Sequence, residues 1–402
     1  MPTTTQLLSQ NGLAPLNEQD AALLQTQQEI ATGRRIVTPS DDPVAAAQAL
    51  AVSAADGRTK QYATNRTYAV NAVSLQESVL ANIGGLVQDL QTAAVSAGNA
   101  SWGDSERQFL ATELRGRLQQ LVGMANTVDA DGQAIFSGYE GRRTPFATVA
   151  GHVQYLGDSG SRALQVAEGR QMAVTVSGQT VFETIRNGNG KFATSAAAGN
   201  TGTGVVSIGA VTDLTALTGD SYQINFSVAA GVTSYDVVDT TTGTTLSSGN
   251  PYTSGDSILF DGVQFEISGS PANGDTFSVA PSSNQSLFRT LEDFIAALET
   301  PLVGASGQAQ FRNQLNVAQA GLGNALDNVL SVRATAGGRL NELDSLENAG
   351  SDLRLQYQAT LSQLQDTDYN EAVSRLSRQQ VSLQAAQQTF TKVAGLSLFN
   401  YL

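Results

Sequence analysis

Apolar side chains recur at steps of three and four along much of the chain, which is the pattern of amphipathic helices. This spacing predicts two neighbouring helices, over 44–97 and 105–129, that form a hairpin. Ser105, followed three residues later by Gln108, is typical of a capping box, so we expect the second helix to begin there. The same period returns over 322–364, which predicts another long helical segment.

The two chain ends carry weaker stripes of their own. A short helix is expected over 23–30, with Gly33 at its C-terminal end. Near the other end, a strict 3-4 spacing predicts a final helix with the seam Val373, Leu376, Gln380, Leu383, Gln387, Phe390 and Ala394. Neither segment has enough apolar surface to be stable alone, so their ordering requires other chains.

A corner is predicted between the first short helix and the long helix that follows. Pro39 opposes a helix running through it, Asp42 has the side chain of an N-cap, and Pro43 suits a first helical position. Asp41 beside Asp42 is a carboxylate pair, but its place between two prolines favours a structural role. We interpret Pro39, Asp41, Asp42 and Pro43 as a rigid structural corner.

The middle of the chain has a different pattern, rich in glycine and threonine with alternating apolar positions. This alternation predicts β-strands at 221–228, 234–238, 257–260, 263–267 and 275–279. Asp261 and Gly262 form a strong two-residue hairpin signal between two of these strands. All nine prolines lie outside 44–144 and 302–402, which leaves those two runs free for helices.

Together these patterns predict an α+β fold, in which both chain ends form a long-helix bundle or coiled coil around a central all-β insertion domain. The expected boundaries place a terminal coiled-coil polymerisation region in residues 1–40 and 367–402, a long-helix bundle in 41–140 and 285–366, and an acidic, outward-facing β domain in 141–284.

Composition narrows the function. The 402 residues carry a formal net charge of −14, no cysteine and one histidine. Disulfides, thiol catalysis and cysteine-based metal sites are therefore excluded, and nucleic acid is an unfavourable partner for so acidic a chain. We expect no cleaved secretory signal at the start and no membrane insertion, since no apolar run has the required length.

No catalytic or cofactor motif is present. A phosphate-binding loop fails because Ile185 stands where its first glycine is needed, and a single histidine excludes a His-Glu-x-x-His zinc site. His152 is expected to be a strand surface residue. The aspartates of the middle segment favour turn positions, with calcium as the alternative. We therefore expect no catalytic residues, no cofactor, no metal and no enzyme activity.

Six segments in the two arms of the chain resemble the bacterial flagellin superfamily. The form Thr38-Pro39-Ser40-Asp41-Asp42-Pro43 is similar to its hook–filament junction members. The remaining resemblance is carried by residues 24–36, Gln133-Ala134-Ile135-Phe136-Ser137-Gly138-Tyr139, Asp366-Thr367-Asp368-Tyr369-Asn370-Glu371-Ala372, Leu383-Gln384-Ala385-Ala386 and residues 390–402.

The resemblance implies a secreted structural protein of the bacterial flagellum. Such proteins are exported unfolded by the flagellar type III apparatus and assemble as a ring between hook and filament. The implied partners are the first hook-associated protein, flagellin, further copies of the chain, and the export chaperone FlgN, which would recognise the C-terminal helix. The residues expected at subunit or chaperone interfaces are Leu24, Ile30, Val373, Leu376, Leu383, Phe390, Val393, Leu396 and Leu398.

Two alternatives remain open from the sequence. A filament flagellin shares the long-helix arms with a junction protein. A surface adhesin or enzyme carried by the acidic β insert belongs to another class of function altogether.

Overall fold

The computed structural model describes residues 4–99 and 101–395, and the side-chain surroundings of residues 13–99 and 101–392. It confirms an α+β fold, with helices from both chain ends and antiparallel strands between them. The chain forms two compact units, one of residues 1–64 and 345–402 and the other of residues 65–344.

The described residues contain six α-helices and one short π-helical segment, Gln179–Glu183. The α-helices are α1 (Thr4–Thr32), α2 (Pro43–Ala97), α3 (Asp104–Ala125), α4 (Leu287–Glu299), α5 (Gly304–Gln365) and α6 (Tyr369–Gly395). The hairpin of α2 and α3 is confirmed. The double glycine at 337–338 does not end α5, because the leucine stripe on either side keeps the helix in place.

Two helix starts differ from the sequence prediction. The first helix is not short: α1 begins at Thr4 and continues through Pro15. The start of α3 is not capped by Ser105. Instead, Gly103 precedes the helix in an extended conformation, and its backbone N–H donates to the Glu106 carboxylate at 2.9 Å. The acidic side chain at the third helical position therefore supplies the capping acceptor.

The main core lies in the second unit, where α2, α3, α4 and α5 bury their apolar stripes against one another. Four aromatic rings close this core where the chain leaves α3: Phe136, Phe146, Phe182 and Phe288 have centroids 4.8 to 5.5 Å apart. Arg107 is also buried, and it donates to the Thr300 carbonyl at 3.0 Å while lying over the Phe311 ring. This arginine satisfies a carbonyl at the end of α4 that would otherwise lack a donor.

The β region is made of short antiparallel strands. They are β1 (Phe146–Val149), β2 (His152–Tyr155), β3 (Ala163–Ala167), β4 (Arg170–Ala173), β5 (Ile185–Arg186), β6 (Phe192–Ala196), β7 (Val205–Val206), β8 (Ala210–Val211), β9 (Tyr222–Ala229), β10 (Val232–Asp239), β11 (Thr244–Pro251), β12 (Ser257–Phe260), β13 (Val263–Ser268), β14 (Thr276–Pro281) and β15 (Asn284–Gln285).

Two sheets form the body of the insert. One has the order β11-β10-β9-β14-β6, and the other has β12-β13-β7 with β8 also paired to β13. Their facing side chains form a second core that includes Ile224, Phe226, Phe265 and Phe277. The predicted Asp261-Gly262 turn is confirmed: Phe260 pairs with Val263, and both turn residues have positive φ.

Amide side chains of α5 hold the insert to the bundle. Asn313 is 7% exposed; its Nδ2 donates to the Gly204 carbonyl at 3.0 Å, and its Oδ1 accepts from the Val206 N–H at 2.8 Å. Asn316 donates to the Val206 carbonyl at 3.1 Å. Gln310, Asn324 and Asn328 each donate to two further backbone carbonyls of 180–200. The helix thus supplies hydrogen-bond donors for backbone carbonyls of the insert that receive no bond from a neighbouring strand.

The β3–β4 hairpin is held to α2 and α5 in the same unit. Asn65 donates to the Gln165 carbonyl at 2.8 Å, and the buried Arg66 donates to the Val166 carbonyl at 2.9 Å. Arg170 forms a bidentate pair with Glu342, at 2.6 and 2.7 Å. Hydrogen bonding to Arg170 lowers the pKa of Glu342, which keeps this carboxylate charged.

Replacing Asn313 with alanine is expected to destabilise the second unit by about 1–3 kcal/mol, because it leaves a buried N–H and a buried carbonyl without partners. Urea unfolding followed by tryptophan fluorescence and circular dichroism measures this loss. Gln314→Ala is the matched control, since Gln314 is exposed on the next position of the same helix. Equal stability of the two variants would contradict the proposed anchoring.

Candidate assembly surfaces

The predicted corner is built from carboxylates that accept backbone N–H groups. Asp41 accepts from Val37 and Thr38, at 3.0 and 2.7 Å. Asp42 accepts from Ala45 at 3.0 Å and so caps α2, which begins at Pro43. The pKa of Asp41 is lowered, chiefly by the bond from the Thr38 backbone, and that of Asp42 chiefly by the bond from the Ala45 backbone.

This corner is hydrogen-bonded to the turn between α5 and α6. The Arg35 N–H donates to the Gln365 carbonyl at 2.7 Å, and its guanidinium donates to the Leu364 carbonyl at 2.9 Å. In return, the Thr367 N–H donates to the Gly33 carbonyl at 3.0 Å. Asp368 caps α6 by accepting from the Asn370 N–H at 2.9 Å. The two chain ends therefore turn at one shared place.

Gly33 is the residue that allows this close approach. Its φ of +68° is in the left-handed region, and a Cβ at this position would lie 3.0 Å from the Tyr369 hydroxyl oxygen. Any other residue would be strained in its backbone and crowded by that hydroxyl group.

Beyond the corner, α1 and α6 pack along each other with a charged pair in their interface. Thr26, Glu29 and Ala372 are buried there. A Glu29 carboxylate oxygen lies 2.9 Å from Arg375 Nη2, with the Glu29 side chain 6% exposed and the Arg375 side chain 39% exposed. A buried carboxylate requires such a partner, so this pair fixes which residues of the two helices face each other.

The structure divides the residues that the sequence singled out for interfaces. Leu24 and Val373 are more than half exposed. Ile30, Leu376, Leu383 and Phe390 are half-buried in the first unit. Leu396 and Leu398, and the side chain of Val393, lie outside the described residues.

The covered face of α6 differs from the predicted seam at some of its positions. Gln380 and Gln387 are exposed, and Ala372 and Gln379 lie on the covered side instead. Sequence reasoning missed the Glu29–Arg375 pair and the exposed Val381. The sequence held one signal for this pair. Glu29 lies three residues after Thr26, so both residues fall on one face of the helix, next to Ile30.

Asp239 and Asp275, two of the insert aspartates considered as calcium ligands, accept hydrogen bonds from nearby backbone N–H groups. Asp239 accepts from Thr241 and Thr242, and Asp275 accepts from Thr201, Gly202 and Ala272, all backbone N–H groups within 3.0 Å. Within 4–99 and 101–395 no group of three His, Asp or Glu side chains is arranged for a metal. Among the described helices, none combines the length and apolar character that crossing a membrane demands.

His152 lies on β2, with its ring exposed to solvent. Its Nδ1 is 2.8 Å from a Glu292 carboxylate oxygen, and the other oxygen of Glu292 accepts from the Val153 N–H. Glu292 thereby ties the β1–β2 hairpin to α4.

Two family matches agree with this architecture. Residues 4–141 match the bacterial flagellin N-terminal helical region, and residues 195–281 match the D2-like domain of flagellar hook-associated protein 1. The paired chain ends, the long-helix bundle and the β insert thus define a flagellar protein of the flagellin superfamily.

Full-length relatives give the particular family. The chain is 31% identical over 400 residues to flagellar hook-associated protein 3 of Escherichia coli, covering 99% of each chain. It therefore belongs to the flagellar hook-associated protein 3 family. Crystal structures of the flagellar junction protein FlgL from Legionella pneumophila (33% identity, TM-score 0.72, 79% of this chain and 100% of that one) and of FlgL from Xanthomonas campestris (29%, 0.72, 77% and 99%) share the fold.

Replacing Arg375 with methionine is expected to lower the stability of the α1–α6 pair by about 2 kcal/mol, because it leaves the buried Glu29 carboxylate without its cation. The loss is smaller than the ~3–5 kcal/mol of a fully buried pair, since Arg375 is partly exposed. Hydrogen exchange at the amides of α1 and α6 measures it. Arg378→Met is the control, because among the described residues Arg378 bonds only to the Ser374 carbonyl of its own helix. Equal protection in both variants would contradict this role.

The corner is expected to loosen in acid. Because the folded pKa values of Asp41 and Asp42 are lowered from 3.8, their contribution is complete above that pH and is lost as the pH falls through the lowered values. NMR titration of the Thr38 and Ala45 amides should give midpoints below 3.8. Asp42→Asn should remove the pH dependence of the Ala45 amide shift, and the Thr38 amide shift should titrate as in the wild-type chain. Midpoints at or above 3.8 in the wild-type chain would count against the hydrogen-bonded corner.

Proposed function

We propose that this protein forms the junction between the hook and the filament of the bacterial flagellum, where it assembles as a ring of subunits. The main support is the match along 99% of the chain to flagellar hook-associated protein 3 of Escherichia coli. A second support is that the two chain ends are hydrogen-bonded to each other at the corner. The family is a structural family of the flagellum, so assembly with other flagellar components is its role.

The proposed neighbours are the first hook-associated protein on one side and flagellin on the other. Support comes from membership of the flagellar hook-associated protein 3 family, whose Legionella pneumophila member is described as the flagellar junction protein. In this proposal residues 1–40 and 367–402 are the polymerisation region, 41–140 and 285–366 are the rigid bundle, and 141–284 is an outward-facing domain.

We also propose capture by the export chaperone FlgN before assembly. The supporting feature is uncovered apolar surface at the two chain ends: Leu24, Val373 and Val381 are each more than half exposed. Such surface favours premature association unless another protein covers it. The absence of cysteine suits a chain that is exported unfolded and assembles outside the cell.

The proposed role involves no catalysis. Candidate carboxylates have structural partners: Asp41 and Asp42 hold the corner, and Asp239 and Asp275 of the insert hold turns. The single histidine is engaged by Glu292. A screen of the purified chain for hydrolytic activity and calcium binding tests this part of the proposal, and a saturable activity would contradict it.

Aspartate at both Leu24 and Val373 is expected to abolish filament attachment, because a charge replaces apolar surface that neighbouring subunits would cover. The variant is expressed in a strain lacking the gene, and filaments are counted by electron microscopy. Leu214→Asp is the matched control, since Leu214 is 66% exposed on the insert. Removal of residues 368–402 should give the same loss while leaving residues 65–344 folded.

Normal filaments on either variant would contradict the proposed polymerisation surface. Fluorescent labelling of the wild-type protein separates the alternatives: one spot at the base of each filament supports the junction, whereas label along the whole filament would mean a filament flagellin.

A further inference from the structure

The loop that follows the bundle is held rigid by one carboxylate. Asp158 accepts from the backbone N–H groups of Tyr139, Glu140 and Gly160, at 2.9, 3.0 and 2.6 Å. These bonds lower the pKa of Asp158, that from Tyr139 most of all. Gly138 has a φ of +75°, and a Cβ there would collide with Asp158. The loop therefore has one fixed conformation, which it needs no partner to adopt.

This loop presents an aromatic ring and two arginines to solvent. Tyr139 is 69% exposed, and Arg142 and Arg143 are both exposed. Arg143 pairs with Glu140 at 3.1 Å, whereas Arg142 has no acidic side chain within 4 Å among the described residues. Tyrosine and arginine are the residue types that dominate binding energy at protein interfaces, and here they need no reordering to bind.

A complementary face lies on the β12–β13 hairpin of the insert. Ile258, Phe265 and Ile267 point into the core, so the alternate positions form the outer face. That face carries Leu259, which is 62% exposed, and Glu266, whose carboxylate is exposed and has no side-chain or backbone donor among the described residues.

The charge of the insert reinforces this complementarity. Residues 193–281 contain eight Asp or Glu and no Lys, Arg or His. Nothing within this segment can neutralise the exposed carboxylates.

We propose that, in the assembled ring, the loop of residues 138–143 in one copy docks on the outer face of the β12–β13 hairpin of the next copy. Arg142 lies against Glu266, and the Tyr139 ring covers Leu259. This inference rests on the proposed ring assembly.

The occupant is a second copy for two reasons. Contacts between two identical inserts would bring like charges together, which a basic loop from the neighbour avoids. In addition, the loop and the hairpin are different surfaces of one chain, and a contact between different surfaces is the kind that repeats around a closed ring. Most of the binding comes from the covered Tyr139 ring, since exposed ion pairs contribute little and instead set register and orientation.

Cysteine pairs test the contact directly, because the natural chain contains no cysteine. The double variant Arg142→Cys, Glu266→Cys is expressed in the deletion strain, and isolated flagella are treated with a short bis-maleimide. A ladder of linked multimers of this chain is expected. Each single variant and the matched pair Arg142→Cys, Ser248→Cys should remain monomeric, since Ser248 lies on the exposed strand β11.

Three outcomes would overturn the contact: no ladder from the pair, a cross-linked product that remains a monomer, or linkage of position 142 to a different flagellar protein. A charge swap provides the second measurement. Arg142→Glu and Glu266→Arg should each reduce the yield of attached filaments at least severalfold, and combining them should restore it.

Failure of this contact is distinguishable from failure of the proposed function. If both charge variants carry normal filaments while Leu24→Asp, Val373→Asp does not, the junction role stands and the loop–hairpin contact is wrong. If the wild-type protein itself does not restore filaments to the deletion strain, the junction role fails first.

Discussion

The first unit is held together by polar contacts in which each chain end supplies the partners that the other end needs. Helix α1 buries the Glu29 carboxylate, and within the described part of the chain Arg375 of α6 is the cation that neutralises it. The segments that follow α1 and precede α6 also bond to each other in both directions. The Arg35 N–H donates to the Gln365 carbonyl, and the Thr367 N–H donates to the Gly33 carbonyl. Segments separated by more than 300 residues must therefore come together before either has its polar groups satisfied, and neither end has an independent folded state to retain.

Much of the architecture could be predicted from the sequence because it follows local patterns. The 3-4 stripes located α2 and α3, and the alternating segments located β9, β10, β12, β13 and β14, to within a few residues. For α5 the stripe located the C-terminal two thirds, because the helix begins at Gly304, well before the predicted 322. The corner was predictable as well, since Pro39, Asp42 and Pro43 act through their own backbone neighbours. These features need no knowledge of distant partners.

What could not be predicted depends on residues far apart in the chain. Asn313 looks like an ordinary polar residue of a helix, because the strand it completes lies more than 100 residues earlier. The continuation of α1 through Pro15 runs against the helix-breaking tendency of proline, so the local sequence argued for a shorter helix. On α6, the predicted seam residues Leu376, Leu383 and Phe390 are half-buried, but Gln379 is covered in place of Gln380. The two glutamines have the same character, and the position of α1 decides which of them is covered.

The amide contacts between α5 and the insert have a consequence for the surroundings in which the protein works. Asn313, Asn316, Gln310, Asn324 and Asn328 carry no charge and do not titrate, so neither pH nor dissolved salt weakens their bonds through screening or protonation. A bacterium swims through water of variable acidity and ionic strength. The two-sheet body of the insert, attached to α5 by neutral groups, keeps its place on the helix while the charge on its own surface varies with the medium.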